Sequence, residues 1–128
     1  MSFKTFKNTR VFSVLFVLLF SAFLVGSVNA QSGTTTVNGT VRDQQGAVVP
    51  GATVTLTNPE TGFNRTTTTS GDGNYTFPSI APGTYQVEVT ASSFKKSLVR
   101  DVKALVDNPI EINVALELGD VSAVVDVT

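Results

Sequence analysis

From Val37 onward the chain alternates apolar and polar positions with a period of two, the repeat of a half-buried β-strand. TTVNGTVRD puts Val37, Gly39 and Val41 on one face, GATVTLTN puts Ala52, Val54 and Leu56 there, and TYQVEVTA puts Tyr85, Val87, Val89 and Ala91 there. In PIEINVALEL, Ile110, Ile112, Val114, Leu116 and Leu118 alternate with Glu111, Asn113, Ala115 and Glu117, so one face is apolar and the other wetted. Such strands lay one face on a core and the other in water, as in an antiparallel sandwich. The segments between them carry turn chemistry. DQQGAVVPG (43–51) holds Gly46 and Pro50-Gly51; in NPETG (58–62), Pro59 opens a turn with its fixed φ and Gly62 closes it. FNRTTTTS (63–70) lacks alternation but is rich in threonine, which suits an exposed or edge strand. FKKSLVRDVKALV (94–106) reads two ways. Leu98, Val102, Leu105 and Val106 fall at helical spacing, whereas a strand through Leu98 to Val102 with a kink near Asp101 fits as well and is preferred.

SGDGNYTFPSIAPGTYQVEV (70–89) contains both tyrosines of the chain. Gly71 and Gly73 flank Asp72 in a turn, Tyr75 and Phe77 then share a face, and Tyr85 and Val87 repeat that parity. The pattern predicts a hairpin with both rings on its apolar side, a loop that returns Ile80 to the core, and a turn at Pro82-Gly83. A buried tyrosine needs a partner for its hydroxyl, so each ring is expected at an end of the core with its oxygen near a backbone group or water. The expected core is Val41, Val54, Leu56, Tyr75, Phe77, Ile80, Tyr85, Val87, Val89, Ile112 and Val114. The fold class that follows is all-β, a single antiparallel β-sandwich of about seven strands.

The first thirty residues have a different composition. Lys4, Lys7 and Arg10 precede the uncharged apolar run VFSVLFVLLFSAFLVG (11–26), and Val28 and Ala30 provide small residues for cleavage between Ala30 and Gln31. Residues 1–30 therefore read as a signal peptide, 31–35 as a linker, 36–118 as the sandwich and 119–128 as an extended tail. An uncleaved anchor is the other reading of the leader, although its apolar run falls short of the ~18–20 residues that span a bilayer. The mature chain is expected to have no membrane span. No cysteine follows the run, which excludes a lipoprotein anchor.

Residues 31–128 contain no His, Cys, Trp or Met, and carry six basic and ten acidic residues, a net charge of −4. A basic patch for nucleic acid is absent. Without His and Cys the chain lacks the commonest general base, the commonest metal ligand and the thiolate nucleophile, so no catalytic, cofactor-binding or metal residue is assigned and no cofactor is expected. Asp72, even with Asp43, offers too few oxygens for a calcium loop. Asn38-Gly-Thr40, Asn64-Arg-Thr66 and Asn74-Tyr-Thr76 match the glycosylation sequon, a match that arises readily in a threonine-rich chain. No phosphate loop is present, since no Gly-Lys-Ser/Thr follows the glycines.

Val37 to Phe94 resembles the carboxypeptidase regulatory-like domain, a transthyretin-like β-sandwich. The resemblance is carried by GxVxDxxGxxxPGAxVxL (Gly39 to Leu56) and GxYxFxxIxPGxYxVxV (Gly73 to Val89), with Ser93-Phe94 standing where Gly-Phe is usual. Such domains follow the catalytic domains of metallocarboxypeptidases and precede the plug of TonB-dependent outer-membrane receptors, including Oar-like ones. A domain placed directly after a leader resembles the receptor order and implies the periplasm or the outer membrane. Leu116 to Thr128 is similar to the segment that joins the domain to a receptor plug, which makes the chain a partial receptor or a free-standing module. In that tail Ala123, Val125 and Val127 alternate with Ser122, Val124 and Asp126, so it can lie extended and add as a strand to a partner sheet, and the resemblance implies a receptor plug or barrel or a TonB-like protein as that partner; a plain linker or the end of the last strand is the other reading. Related CnaB-type modules carry a lysine–asparagine crosslink, which is not expected here because Arg42 stands in the lysine's place. The resemblance implies a non-enzymatic exported module engaged in protein–protein interaction or structure. The alternative is a carbohydrate-binding module of the starch-binding-like type, against which stand the missing tryptophan and the inward tyrosines.

Overall fold

A computed structural model of the chain describes residues 8–22 and 32–127. It divides into two compact units, Met1–Gln31 and Ser32–Thr128. In the first, α1 spans Asn8–Ala22, apolar along nearly its whole length. Among the described residues no helix is long and apolar enough to cross a membrane. The cleavage point expected between Ala30 and Gln31 lies outside the described residues.

The second unit is a two-sheet sandwich built from β1 (Thr35–Asp43), β2 (Thr53–Asn58), β3 (Phe63–Thr68), β4 (Asn74–Ile80), β5 (Gly83–Thr90), β6 (Lys96–Ala104), β7 (Ile110–Glu111), β8 (Val114–Leu116) and β9 (Val124–Val127). One sheet has β1 at its centre, with β4 on one side and β7 and β8 in line on the other; the second runs β3-β2-β5-β6-β9. The framework pairs β1–β4, β2–β3, β2–β5 and β5–β6 are antiparallel. The additions β7, β8 and β9 pair parallel. The count exceeds about seven because the 110–118 segment is divided in two and the tail contributes β9.

Between the sheets lie Val41, Val54, Leu56, Phe77, Ile80, Val87 and Val89, all fully buried, joined by Tyr75, Tyr85, Val114 and Leu116. Burying a side chain the size of leucine or phenylalanine stabilises by ~1.5–3 kcal/mol, so this layer is the main source of stability in a chain without disulfides. Two bulges keep it apolar where strict alternation would fail. Ser79 adopts φ 57° on β4, and the β1–β4 register shifts there, so that Phe77 and Ile80 both face inward. Asp101 adopts φ 57° on β6, and the β5–β6 register shifts between Tyr85 and Val87, so that Val99 and Val102 share the inner face. Residues 96–104 are thus strand with an irregularity at Asp101, and Leu105 and Val106, which helical spacing would have buried, are exposed.

Two expectations change. The segment holding both tyrosines is not a hairpin: β4 belongs to one sheet and β5 to the other, so Ala81-Pro82 crosses the sandwich and the two rings enter the core from opposite sides. The 110–118 segment is not one continuous half-buried strand. It breaks at Ile112-Asn113, leaving Ile110 and Ile112 half-buried and Leu118 exposed, while Val114 and Leu116 remain in the core.

Candidate functional site

The tyrosines are interior. Tyr75 is 3% exposed and Tyr85 2%. Each hydroxyl donates to a backbone carbonyl at 2.6 Å, Tyr75 to Ile112 and Tyr85 to Ala81. Tyr85 thereby fastens the crossing between sheets to the start of its own strand, and Phe63 packs edge-on against its ring at 5.6 Å. Burial pushes the Tyr75 hydroxyl well above the ordinary tyrosine range, so it remains a proton donor at any physiological pH. Its acceptor is the carbonyl at the break between β7 and β8. That carbonyl turns inward over Gly39, where a Cβ would overlap the Ile112 oxygen and lie 2.8 Å from the Tyr75 hydroxyl. The glycine in β1 thus marks a close approach of backbone to strand.

On the solvent side of the same break lies a shallow polar depression of about 330 Å³. In the β1–β4 register Asn38 stands opposite Thr76 and Thr40 opposite Asn74, and β7 places Glu111 opposite Asn38. The Thr40 hydroxyl donates to Asn74 Oδ1 at 2.9 Å, the Thr40 N–H donates to Asn113 Oδ1 at 2.9 Å, and Asn113 Nδ2 donates to Glu111 Oε1 at 2.7 Å. Asn113 therefore plugs the gap in the ladder with its side chain. The arrangement offers amides and hydroxyls beside one carboxylate, which can exchange hydrogen bonds with a hydroxyl-rich ligand but has no assembled nucleophile and base. Sequence reasoning missed this face. Its signal was present in Asn38-Gly-Thr40 and Asn74-Tyr-Thr76, two Asn-x-Thr triplets on antiparallel strands whose polar residues fall on one face.

The tail is engaged within the chain. Read from the sequence as a linker or strand end, with a strand for a partner as the other option, Val124–Val127 pairs with Lys96–Val99 of β6. Val125 and Val127 lie in that ladder, and Ala123 just precedes it, its carbonyl accepting the Lys96 N–H at 2.9 Å. The link is a turn in which Asp120 accepts the Ser122 N–H at 3.0 Å; that backbone hydrogen bond, with one from the Ser122 side chain, lowers the Asp120 carboxyl below its ordinary pKa. Arg100 Nε meets Asp126 Oδ2 at 2.8 Å, Lys96 meets Glu88 at 3.4 Å and Lys95 meets Glu117 at 3.5 Å. Among the described residues no three of His, Cys, Asp and Glu gather into a metal-binding group.

Fold and surface together define a small two-sheet β-sandwich module. The chain belongs to the carboxypeptidase regulatory-like domain family, whose model matches residues 36–117. No curated protein matches the chain. Among solved structures it is similar to a candidate carbohydrate-binding protein from Bacteroides uniformis (18% identity, TM-score 0.55, 66% of this chain and 41% of that one). It is also similar to a chain of a type II cohesin–X-dockerin complex from Acetivibrio cellulolyticus (21%, 0.54, 67% and 59%). A third similarity is to catechol 1,2-dioxygenase from Acinetobacter radioresistens (17%, 0.53, 77% and 56%). The chain spans less than two thirds of each of these proteins, and at such identities the likeness is one of fold.

Proposed function

We propose that the chain is an exported, non-enzymatic β-sandwich module, the periplasmic N-terminal extension of a TonB-dependent receptor-like protein, acting through contact with partner proteins or as a structural domain. The observation that carries the reading is the order of segments: a basic, then apolar, then small-residue stretch over residues 1–30 stands directly ahead of a domain matched over residues 36–117. The absence of His and Cys from the sequence and the scattering of its acids support a role without catalysis. The test is expression of the whole chain in a Gram-negative host, followed by fractionation and mass determination. The expected product begins at Gln31 and is recovered from the periplasm or the outer membrane; an intact chain in the cytoplasm overturns the reading.

A second reading, carbohydrate binding, is favoured by one observation, the polar depression around Asn38, Thr40, Asn74 and Glu111. Its neutral amides and hydroxyls suit a glycan, although among the described residues no aromatic ring lies open beside them. Titration with soluble polysaccharides separates the readings: saturable binding that Asn74→Ala abolishes without unfolding the domain supports this one, and its absence across a broad panel removes it.

A further inference from the structure

Three Asn-x-Thr triplets lie on the sandwich, and the structure separates them. Asn38 is half-buried and stands opposite Glu111 in the β1–β7 pair, and Asn64 lies on β3 with Thr66, whose hydroxyl meets that of Thr55 at 3.2 Å. Asn74 opens β4 directly after the Ser70–Gly73 turn, and Asn74 and Thr76 are exposed on one face of the strand, on either side of the buried Tyr75. The Asn74 Oδ1, not its Nδ2, holds the Thr40 hydroxyl at 2.9 Å, so the nitrogen that N-glycosylation substitutes is not the atom the domain uses. Beside it the polar depression of about 330 Å³ has room for a first sugar, whose hydroxyls would meet Asn38, Thr40 and Glu111. Charge separates the triplets as well. Asp72, exposed in the turn, stands two residues before Asn74, whereas Thr36 and Gly62 hold that place before Asn38 and Asn64. Asp72 takes part in no ion pair among the described residues. On an extended chain a transferase can therefore grip this acceptor from both sides, a cation on the acid ahead of the asparagine and a hydrogen bond to the hydroxyl behind it.

We propose that Asn74 is the acceptor of an N-linked glycan, transferred from a polyprenyl-pyrophosphate-linked oligosaccharide by an oligosaccharyltransferase that recognises Asp72 together with the Thr76 hydroxyl. The Asn74 Nδ2 forms a bond to the anomeric carbon of the oligosaccharide, the bond from that carbon to the pyrophosphate oxygen breaks, the amide gives up one proton, and the lipid pyrophosphate leaves. Tyr75, at the centre of the triplet, is buried once β4 pairs with β1, so transfer takes place on the extended chain before the domain folds. The folded domain then carries the glycan because Asn74 is exposed beside the depression. The proposal rests on the export reading, since the lipid-linked donor is used on the far side of the inner membrane.

The test is expression of the full chain in a Gram-negative host that carries a single-subunit bacterial oligosaccharyltransferase and its lipid-linked oligosaccharide, beside the same host without the transferase. Intact mass reads export, through a product that begins at Gln31, and peptide mapping reads the glycan, so the two are scored separately. The expected result is one glycan, on the peptide that contains Asn74, absent without the transferase. Asn74→Gln and Thr76→Val are expected to remove it, and Asn38→Gln and Asn64→Gln to leave it in place. Asp72→Asn takes away one partner of the charge contact and is expected to cut the glycosylated fraction by about tenfold or more. Mapping of the unsubstituted chain places the glycan whether or not a variant folds. An exported chain without a glycan, a glycan on Asn38 or Asn64, or undiminished occupancy in Asp72→Asn overturns the proposal and leaves the export reading standing; an intact chain in the cytoplasm overturns both.

Discussion

Gly39→Ala tests the central packing argument with the smallest possible change. The added methyl overlaps the Ile112 carbonyl oxygen and lies 2.6 Å from its carbon and 2.8 Å from the Tyr75 hydroxyl. Two of these three neighbours are backbone, so no side-chain rotation relieves the contact. The β7–β8 link must move outward. That displacement breaks the Ile112 N–H to Asn38 carbonyl bond of 2.7 Å, worth about 1 kcal/mol, and leaves the buried Tyr75 hydroxyl without its acceptor, which costs a further ~1–3 kcal/mol. The sum, about 2–4 kcal/mol, is a large share of the ~5–15 kcal/mol that holds a domain folded. For a domain of this size each kcal/mol lowers Tm by ~4–8 °C, so the melting temperature should fall by at least about 8 °C. Urea unfolding followed by far-UV circular dichroism reads the difference, and the slope m should be unchanged. In a Tyr75→Phe background no hydroxyl remains to be orphaned, so the same alanine should cost at least ~1 kcal/mol less, a coupling that a double-mutant cycle isolates. A Gly39→Ala protein within about 0.5 kcal/mol of its parent would refute the reasoning.

Three further outcomes follow from the same geometry. The Tyr75 hydroxyl is held protonated by burial, whereas in the unfolded chain it ionises near its ordinary value of about 10. Above that pH the native state therefore binds more protons than the unfolded one, so the contribution is fully present below pH ~10 and declines by up to about 1.4 kcal/mol per pH unit above it; the decline should appear as a difference between the parent and Tyr75→Phe in urea titrations at pH 9 to 11. The Ser97 hydroxyl is buried on the inner face of β6 with no hydrogen-bond partner among the described residues, so Ser97→Ala should leave stability unchanged or raise it by up to ~1 kcal/mol, and a loss of more than about 1 kcal/mol would show that the hydroxyl has a partner. Leu56→Ala should cost ~2–5 kcal/mol because its side chain is fully buried between the sheets, while Leu118→Ala, at a position 68% exposed, should stay within ~0.5 kcal/mol in the same thermal melts.

The sandwich was legible where a single parity runs unbroken. Val54 and Leu56 on β2, and Tyr85, Val87 and Val89 on β5, lie where period-two reading puts them, because each strand pairs on both sides and nothing interrupts its pleat. Legibility fell where an extra residue changes the parity. Ile80 reaches the core through a bulge at Ser79, not through a returning loop, and a bulge is invisible to a pattern that counts by twos. Sheet assignment was also beyond the pattern. Two adjacent strands with a Pro-Gly turn suit a hairpin and a sheet-to-sheet crossing equally well, and what separates them, the pairing of β4 with β1 and of β5 with β2 and β6, is a set of tertiary contacts.

The candidate surface was less legible for a different reason. Residues that face water carry no periodic constraint of their own, so Asn38, Thr40, Asn74 and Thr76 read as the polar half of an amphipathic pattern until the register sets them side by side. Gly39 is the exception, and it links the two faces of the sheet. A glycine at an inward strand position wastes core volume unless another group fills it, and here the Ile112 carbonyl and the Tyr75 hydroxyl do so. Turning that carbonyl inward interrupts the β1 ladder, and Asn113 closes the interruption from outside by accepting the Thr40 N–H. The polar depression is therefore a consequence of how the core is packed beneath it. A substitution that restores a continuous ladder between residues 110 and 116 should remove the depression together with any ligand it holds, even though no residue lining it has changed.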